Sequence, residues 1–249
     1  MLDQDPAVAD ALAALPGYLA GPLGDYLRRE LRVRGVLLQG LVDPGEPDAV
    51  IPAPVATDPA AVVLATAHAE WLRNVREPDK TGQNGAPIID TYIRGPQGLG
   101  WKTCDVKTWK PGVPYTYNGQ FAWCGSFAAF CWGAAGLSPA VRYKRLPGTP
   151  RLLAWAKGTD RLIRPADLRP GDIAVVGPLG SVEGEHITIV RSVNPGESIL
   201  TYEGNAKGPL PSGAIVEGVI SRSRPFFHST PTVYRVLYGV RPLAEDMGQ

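Results

Sequence analysis

The chain has 249 residues, with 25 Lys and Arg against 24 Asp and Glu, so its formal net charge is +1. That balance excludes the clustered positive excess of a DNA or RNA binder, and a composition 44% hydrophobic and 20% charged excludes a disordered chain. Glycine and proline, 29 and 25 in number, predict many turns and short elements, and a chain this long needs no disulfide staples to bury a core.

In chain order, residues 1–56 read as a separate helical extension. Apolar spacing predicts helices over about 6–15 and 19–33, the second closed by Gly35. A Pro-rich stretch around Asp43-Pro44-Gly45 and Ile51-Pro52-Ala53-Pro54 then reads as a stiff linker. The N-terminus is acidic, with no Lys or Arg before Arg28. It lacks the basic segment of a secretory leader, so synthesis in the cytoplasm without a signal peptide is expected. No apolar run is long enough to insert in a membrane.

The second expected domain covers 57–249. Asp58-Pro59 caps a helix expected to run to about residue 76. A loop over 78–87, a short helix near 88–94 and a Gly/Pro/Trp-rich segment over 95–120 follow. Residues 124–135 form the next helical run, stopped by Gly136 and Pro139. Strands are expected over 172–176, 186–193, 198–202, 214–221 and 233–240. Helices first and antiparallel strands after predict an α+β domain.

Three cysteines and three histidines suggest a metal site, a redox pair, or a nucleophile with its base. Cys124 and Cys131 lie on one helix face, but roughly 10 Å apart along its axis at ~1.5 Å per residue. That is too far for one zinc ion or for a disulfide. Neither Cys-x-x-Cys nor His-x-x-x-His occurs, and no metal or other cofactor is expected. Cys124 follows the turn-former Asn118-Gly119 and opens its helix, where unpaired N–H groups and the dipole lower a thiol pKa. Cys131, between Phe130 and Trp132, reads as a buried small hydrophobe, and Cys104 as incidental. His68 falls on the apolar stripe of its helix, and His228 sits in a loop with no orienting acid after it. His186 opens a β-branched strand after a Gly-rich loop. If that strand pairs with the next through the turn at 194–197, Glu203 and Asn205 return to its level. Either can then accept from one imidazole nitrogen while the other faces the thiol. Cys124–His186 is thus the favoured one of nine Cys–His pairs.

The ordered set Trp123-Cys124-Gly125-x-Phe127, Arg169-Pro170-Gly171-Asp172-Ile173, Glu185-His186-Ile187-Thr188-Ile189-Val190 and Thr201-Tyr202-Glu203-Gly204-Asn205 resembles the CHAP amidase family. These enzymes belong with the NlpC-type members of the papain-like superfamily, and the similarity covers about residues 58–222. The Cys-to-His, His-to-Glu and Glu-to-Asn gaps are 62, 17 and 2 residues. The resemblance implies a papain-like core, with a nucleophile helix packed on an antiparallel sheet. It implies Cys124 as nucleophile, His186 as base and acid, Glu203 as its orienting partner and Asn205 as an oxyanion donor. Many family members have Gln just before the Cys. Here Trp123 stands there, and Gln120 is the nearest Gln. Gln120, Trp123 and Tyr117 are expected to contact substrate, with Tyr115 and Trp109 as further cleft aromatics. The implied substrate is peptidoglycan, cut at the muramoyl–peptide bond or within the stem or cross-bridge. A holin-released phage lysin, a machine-delivered toxin with an immunity protein and a tail-borne hydrolase all fit. The alternatives are a papain-like acyltransferase or deamidase acting elsewhere, and an inactive wall-binding module.

Overall fold

The computed structural model describes residues 58–78, 88–101, 104–105, 110–111, 122–210, 213–227, 230 and 233–248. The expected N-terminal helices, Trp109, Tyr115, Tyr117, Gln120 and His228 lie outside the described residues, as does the side chain of Cys104.

Four α-helices are described: α1 (Pro59–Leu72), α2 (Cys124–Ala134), α3 (Pro139–Arg145) and α4 (Thr149–Lys157). The strands are β1 (Cys104–Asp105), β2 (Lys110–Pro111), β3 (Leu162–Ile163), β4 (Ile173–Gly177), β5 (His186–Asn194), β6 (Ser198–Pro209), β7 (Ile215–Pro225) and β8 (Arg235–Val240). β1 and β2 pair with each other, and the other six form one antiparallel sheet in the order β3-β8-β4-β5-β6-β7. The expected α+β class with an antiparallel sheet is what the chain adopts.

Alternation along the strands gives the sheet two apolar faces. Ile173, Val175, Ile187, Ile189, Tyr202 and Val219 pack under α1 and α2, against Val63, Ala67, Phe127, Ala128 and Cys131. Ala174, Val176, Val190, Ile199 and Val236 form the second face with Leu168 and Phe226. β7 and β8 touch although three strands separate them in the order, so the sheet curls toward that second face.

Several boundaries differ from the sequence reading. α1 stops at Leu72 rather than near residue 76, because Asn74 adopts the left-handed conformation at φ 54°, which asparagine tolerates at a helix end. The chain then runs extended along β7: Val219 N–H donates to Val75 O and Glu77 N–H to Glu217 O, each at 2.8 Å. This covers an exposed sheet edge. The short helix expected near 88–94 is a five-residue π-helix, Ile89–Ile93. α3 and α4 fall where the sequence reading placed no helix. α4 carries Pro150 in its first turn and ends at Gly158, signals that were open to reading. β6 and β7 extend well beyond 198–202 and 214–221. Gly204 and Asn205 resemble a strand terminator but form an irregularity inside a continuing strand.

Candidate active site

Two elements meet to build the site: the N-terminus of α2 and the start of β5. Gly125 makes the approach possible. A Cβ there would lie 1.9 Å from the Leu146 carbonyl oxygen, so only glycine lets α2 begin this close to its neighbour. Gly204 does the same beneath the helix, where a Cβ would stand 2.5 Å from Phe127 Cβ and 2.6 Å from the Trp123 ring. The β5–β6 pairing runs from Asn194–Ser198 to Ile189–Tyr202. β6 then shifts register between Glu203 and Ala206. On β5, residues 186–188 pair with β4 but not with β6, and the Ile187 N–H hydrogen-bonds the Cys124 sulfur.

Cys124 is a free, buried thiol. Burial alone pushes such a thiol up. Here the charge and hydrogen bond of His186, with the backbone N–H groups of Ile187 and Gly125, outweigh burial and hold Cys124 below its ordinary value. The imidazole responds in the opposite sense. Burial would lower His186, but its contacts with Cys124 and then Glu203 raise it to about 9. Each shift favours the charged partner of the other, so the contact favours the thiolate–imidazolium pair over the neutral one. His186 Nε2 lies 3.1 Å from Glu203 Oε2, which leaves Nδ1 for the thiol. β5 and β6 pair antiparallel as expected, and the Glu203 side chain reaches His186 from just past Tyr202, the last β6 residue paired with β5.

Glu203 is fully buried. Burial works to raise its pKa, yet His186 and Arg224 hold it well below the usual carboxylate range. Arg224 Nε donates to Oε1 at 2.7 Å and Nη2 to Oε2 at 2.6 Å. Thr201 Oγ1 lies 2.7 Å from Oε1. Arg224 is the partner of Glu203 that the sequence reading missed. It lies 21 residues from Glu203 in no motif, and only the β6–β7 register, which pairs Ile199 with Arg224, brings it there.

The other expected site residues are placed as follows. Asn205 sits in the β6 irregularity with φ 57°; no hydrogen bond joins it to His186 among the described residues. Trp123 is wholly buried. Its ring stacks on Tyr92 at 5.4 Å between centroids, and its Nε1–H donates to Glu77 Oε1 at 2.8 Å. It therefore supports the floor beneath Cys124. Gln120 and Tyr117 are outside the described residues. Cys131 is buried in the core, and burial pushes its thiol well above the ordinary range. His68 Nδ1 lies 2.7 Å from the Tyr202 hydroxyl, the satisfied edge histidine that its helical stripe predicts. Among the described residues, no group of three His, Cys, Asp or Glu side chains is placed to hold a metal.

This arrangement places a thiol with a lowered pKa beside an imidazole, with a buried carboxylate on the imidazole's other side. It suits acyl transfer through a thioester. Compared with family models, curated proteins and solved structures, the chain matches none.

Proposed function

We propose that this chain is a cysteine amidohydrolase that cuts an amide bond of peptidoglycan, in the manner of the CHAP amidases its motifs resemble. The observation that carries the reading is the alignment of Cys124, His186 and Glu203, with a lowered thiol and a raised imidazole. A papain-like core belongs to the same proposal. It is supported by the helix that opens on Cys124 and packs on the strands bearing His186 and Glu203.

In this mechanism Cys124 Sγ attacks the carbonyl carbon as thiolate. The carbonyl oxygen becomes an oxyanion, met by the Cys124 N–H at the first turn of α2, where helical amides lack intrahelical acceptors. Asn205 is the side-chain donor proposed with it; Gln120, the other candidate, lies outside the described residues. His186 Nδ1–H passes its proton to the amine nitrogen as the C–N bond breaks, leaving an acyl–Cys124 thioester. Water then loses a proton to His186 Nδ1 and attacks the thioester carbon. Collapse releases the carboxylic acid and restores the thiolate and imidazolium. Glu203 holds the imidazole in one tautomer throughout.

Peptidoglycan as substrate, and release through a holin or delivery with an immunity partner, rest on the family resemblance. The test is digestion of purified sacculi by wild type and Cys124→Ala, with mass spectrometry of the soluble products. Wild type is expected to release fragments with new amino termini or free stem peptides, and the variant none. Equal release by both, or none by either, would end this reading.

A further inference from the structure

A carboxylate that orients a catalytic imidazole must stay charged and must point one way. Burial opposes the first, because desolvation favours the neutral acid, and a lone carboxylate has no means of securing the second. Glu203 meets both needs on its side away from His186. The Arg224 guanidinium grips both carboxylate oxygens, at 2.7 Å and 2.6 Å. Oε2 is shared between Arg224 and His186 Nε2, while Oε1 faces Thr201. Arg224 is itself buried, with its guanidinium carbon 5.7 Å from the Tyr234 ring centroid. The Tyr234 hydroxyl donates to Glu185, the residue before His186. A planar, forked, permanently charged group fits this slot as lysine would not.

We infer that Arg224 is a positioning residue of the site: its fork presents Glu203 Oε2 to His186 Nε2, and its charge balances the buried Cys124–His186–Glu203 set. This inference rests on reading Cys124 as the nucleophile. The charges are Cys124 negative, His186 positive, Glu203 negative and Arg224 positive, which sum to zero. Without Arg224 the buried set carries one net negative charge and takes up a proton at higher pH. A proton on Glu203 ends its pull on the imidazolium, and a proton on Cys124 ends the nucleophile. Either event raises the acid limb of thiol reactivity. The other charged group facing Glu203 is Arg222, also on β7. Its Nη2 is committed to the Lys207 carbonyl, so it does not replace the fork. From β5 the facing group is His186, whose imidazole in turn meets Cys124 on α2, and Glu185 stands beyond Tyr234.

The test uses the full chain and iodoacetamide from pH 4 to 9, with alkylation at Cys124 read by peptide mass spectrometry. Sacculus digestion is run in parallel and folding is checked by circular dichroism. Wild type should alkylate quickly at pH 6. Arg224→Met should move the acid limb up by about one pH unit and slow alkylation at pH 6 about tenfold. Arg224→Lys, which keeps the charge without the fork, should restore the limb but hydrolyse roughly three- to tenfold more slowly. Arg222→Met should stay within about threefold of wild type, and in a Glu203→Gln background Arg224→Met should add less than about threefold. A role in packing alone would lower the folded fraction and leave the pH profile unmoved. An unmoved profile in folded Arg224→Met, or effects that simply multiply in the double variant, would overturn the inference. If Arg224→Met does not fold, undiminished hydrolysis by Arg224→Lys would overturn it instead. Wild-type Cys124 that alkylates no faster than an ordinary thiol would overturn both this inference and the function it rests on.

Discussion

A buried thiol keeps its proton unless its surroundings prefer the charge. At Cys124 they do, because an imidazolium and two backbone N–H groups face the sulfur. His186 holds its proton up to about pH 9. Hydrolysis should therefore stay level through neutral pH and fall above about pH 9, as His186 loses the proton the leaving amine needs. A pH–rate profile of turnover checks this. His186→Gln removes the thiolate's main partner and should slow iodoacetamide alkylation of Cys124 at pH 7 by roughly tenfold or more. Cys131 is the contrasting thiol. Cys131→Ser places a hydroxyl among apolar neighbours and should cost about 1–3 kcal/mol in a denaturant titration, while the folded fraction keeps full activity. The sequence made this contrast legible, since one cysteine opens a helix and the other sits between Phe130 and Trp132. It did not make Trp123 legible. An aromatic beside the nucleophile looks like a cleft wall, and only the Tyr92 stack and the Glu77 hydrogen bond reveal it as buried support.

At the scale of elements, the site depends on α2 lying directly on β6. Gly204 is the point of contact. Gly204→Ala would drive a methyl group into Phe127 and Trp123 and lever the start of α2 off the sheet. A loss of about 1–3 kcal/mol is expected, as for overpacked cores. Activity should fall more steeply than stability, because Cys124 moves with the helix; thermal melts beside turnover measurements separate the two. The strand starts at 173 and 186 and the nucleophile helix were readable from β-branched runs and turn residues, because those signals are local. The length of β6 was not. Glu203, Gly204, Asn205 and Lys207 lack an apolar alternation, and the strand persists there because β7 pairs with it on the far side of the irregularity. Nor was Arg224, whose role exists only through strand register.

Across the domain that begins at Pro59, the sheet buries Glu203, His186 and Arg224 among apolar residues, so protonation couples the site to folding. Glu203 is held well below its ordinary carboxyl range of about 4.5 by His186 and Arg224. A lowered native pKa contributes stability that is present above the unfolded value and is lost as pH falls below it. Wild type should therefore lose stability progressively below about pH 4.5, and Glu203→Gln should show a flatter acid limb from a lower starting stability. Urea titrations from pH 3 to 7 would reveal the difference.

The central claim is that Cys124 forms a thioester with a peptidoglycan acyl group, which water then resolves. The most direct measurement is digestion of purified sacculi in 18O-labelled water. Wild type is predicted to yield one new amine and one 18O-bearing carboxyl group per bond cut, and Cys124→Ala to yield neither. Products that appear equally with the alanine variant, or sacculi left intact by the wild-type chain, would contradict it.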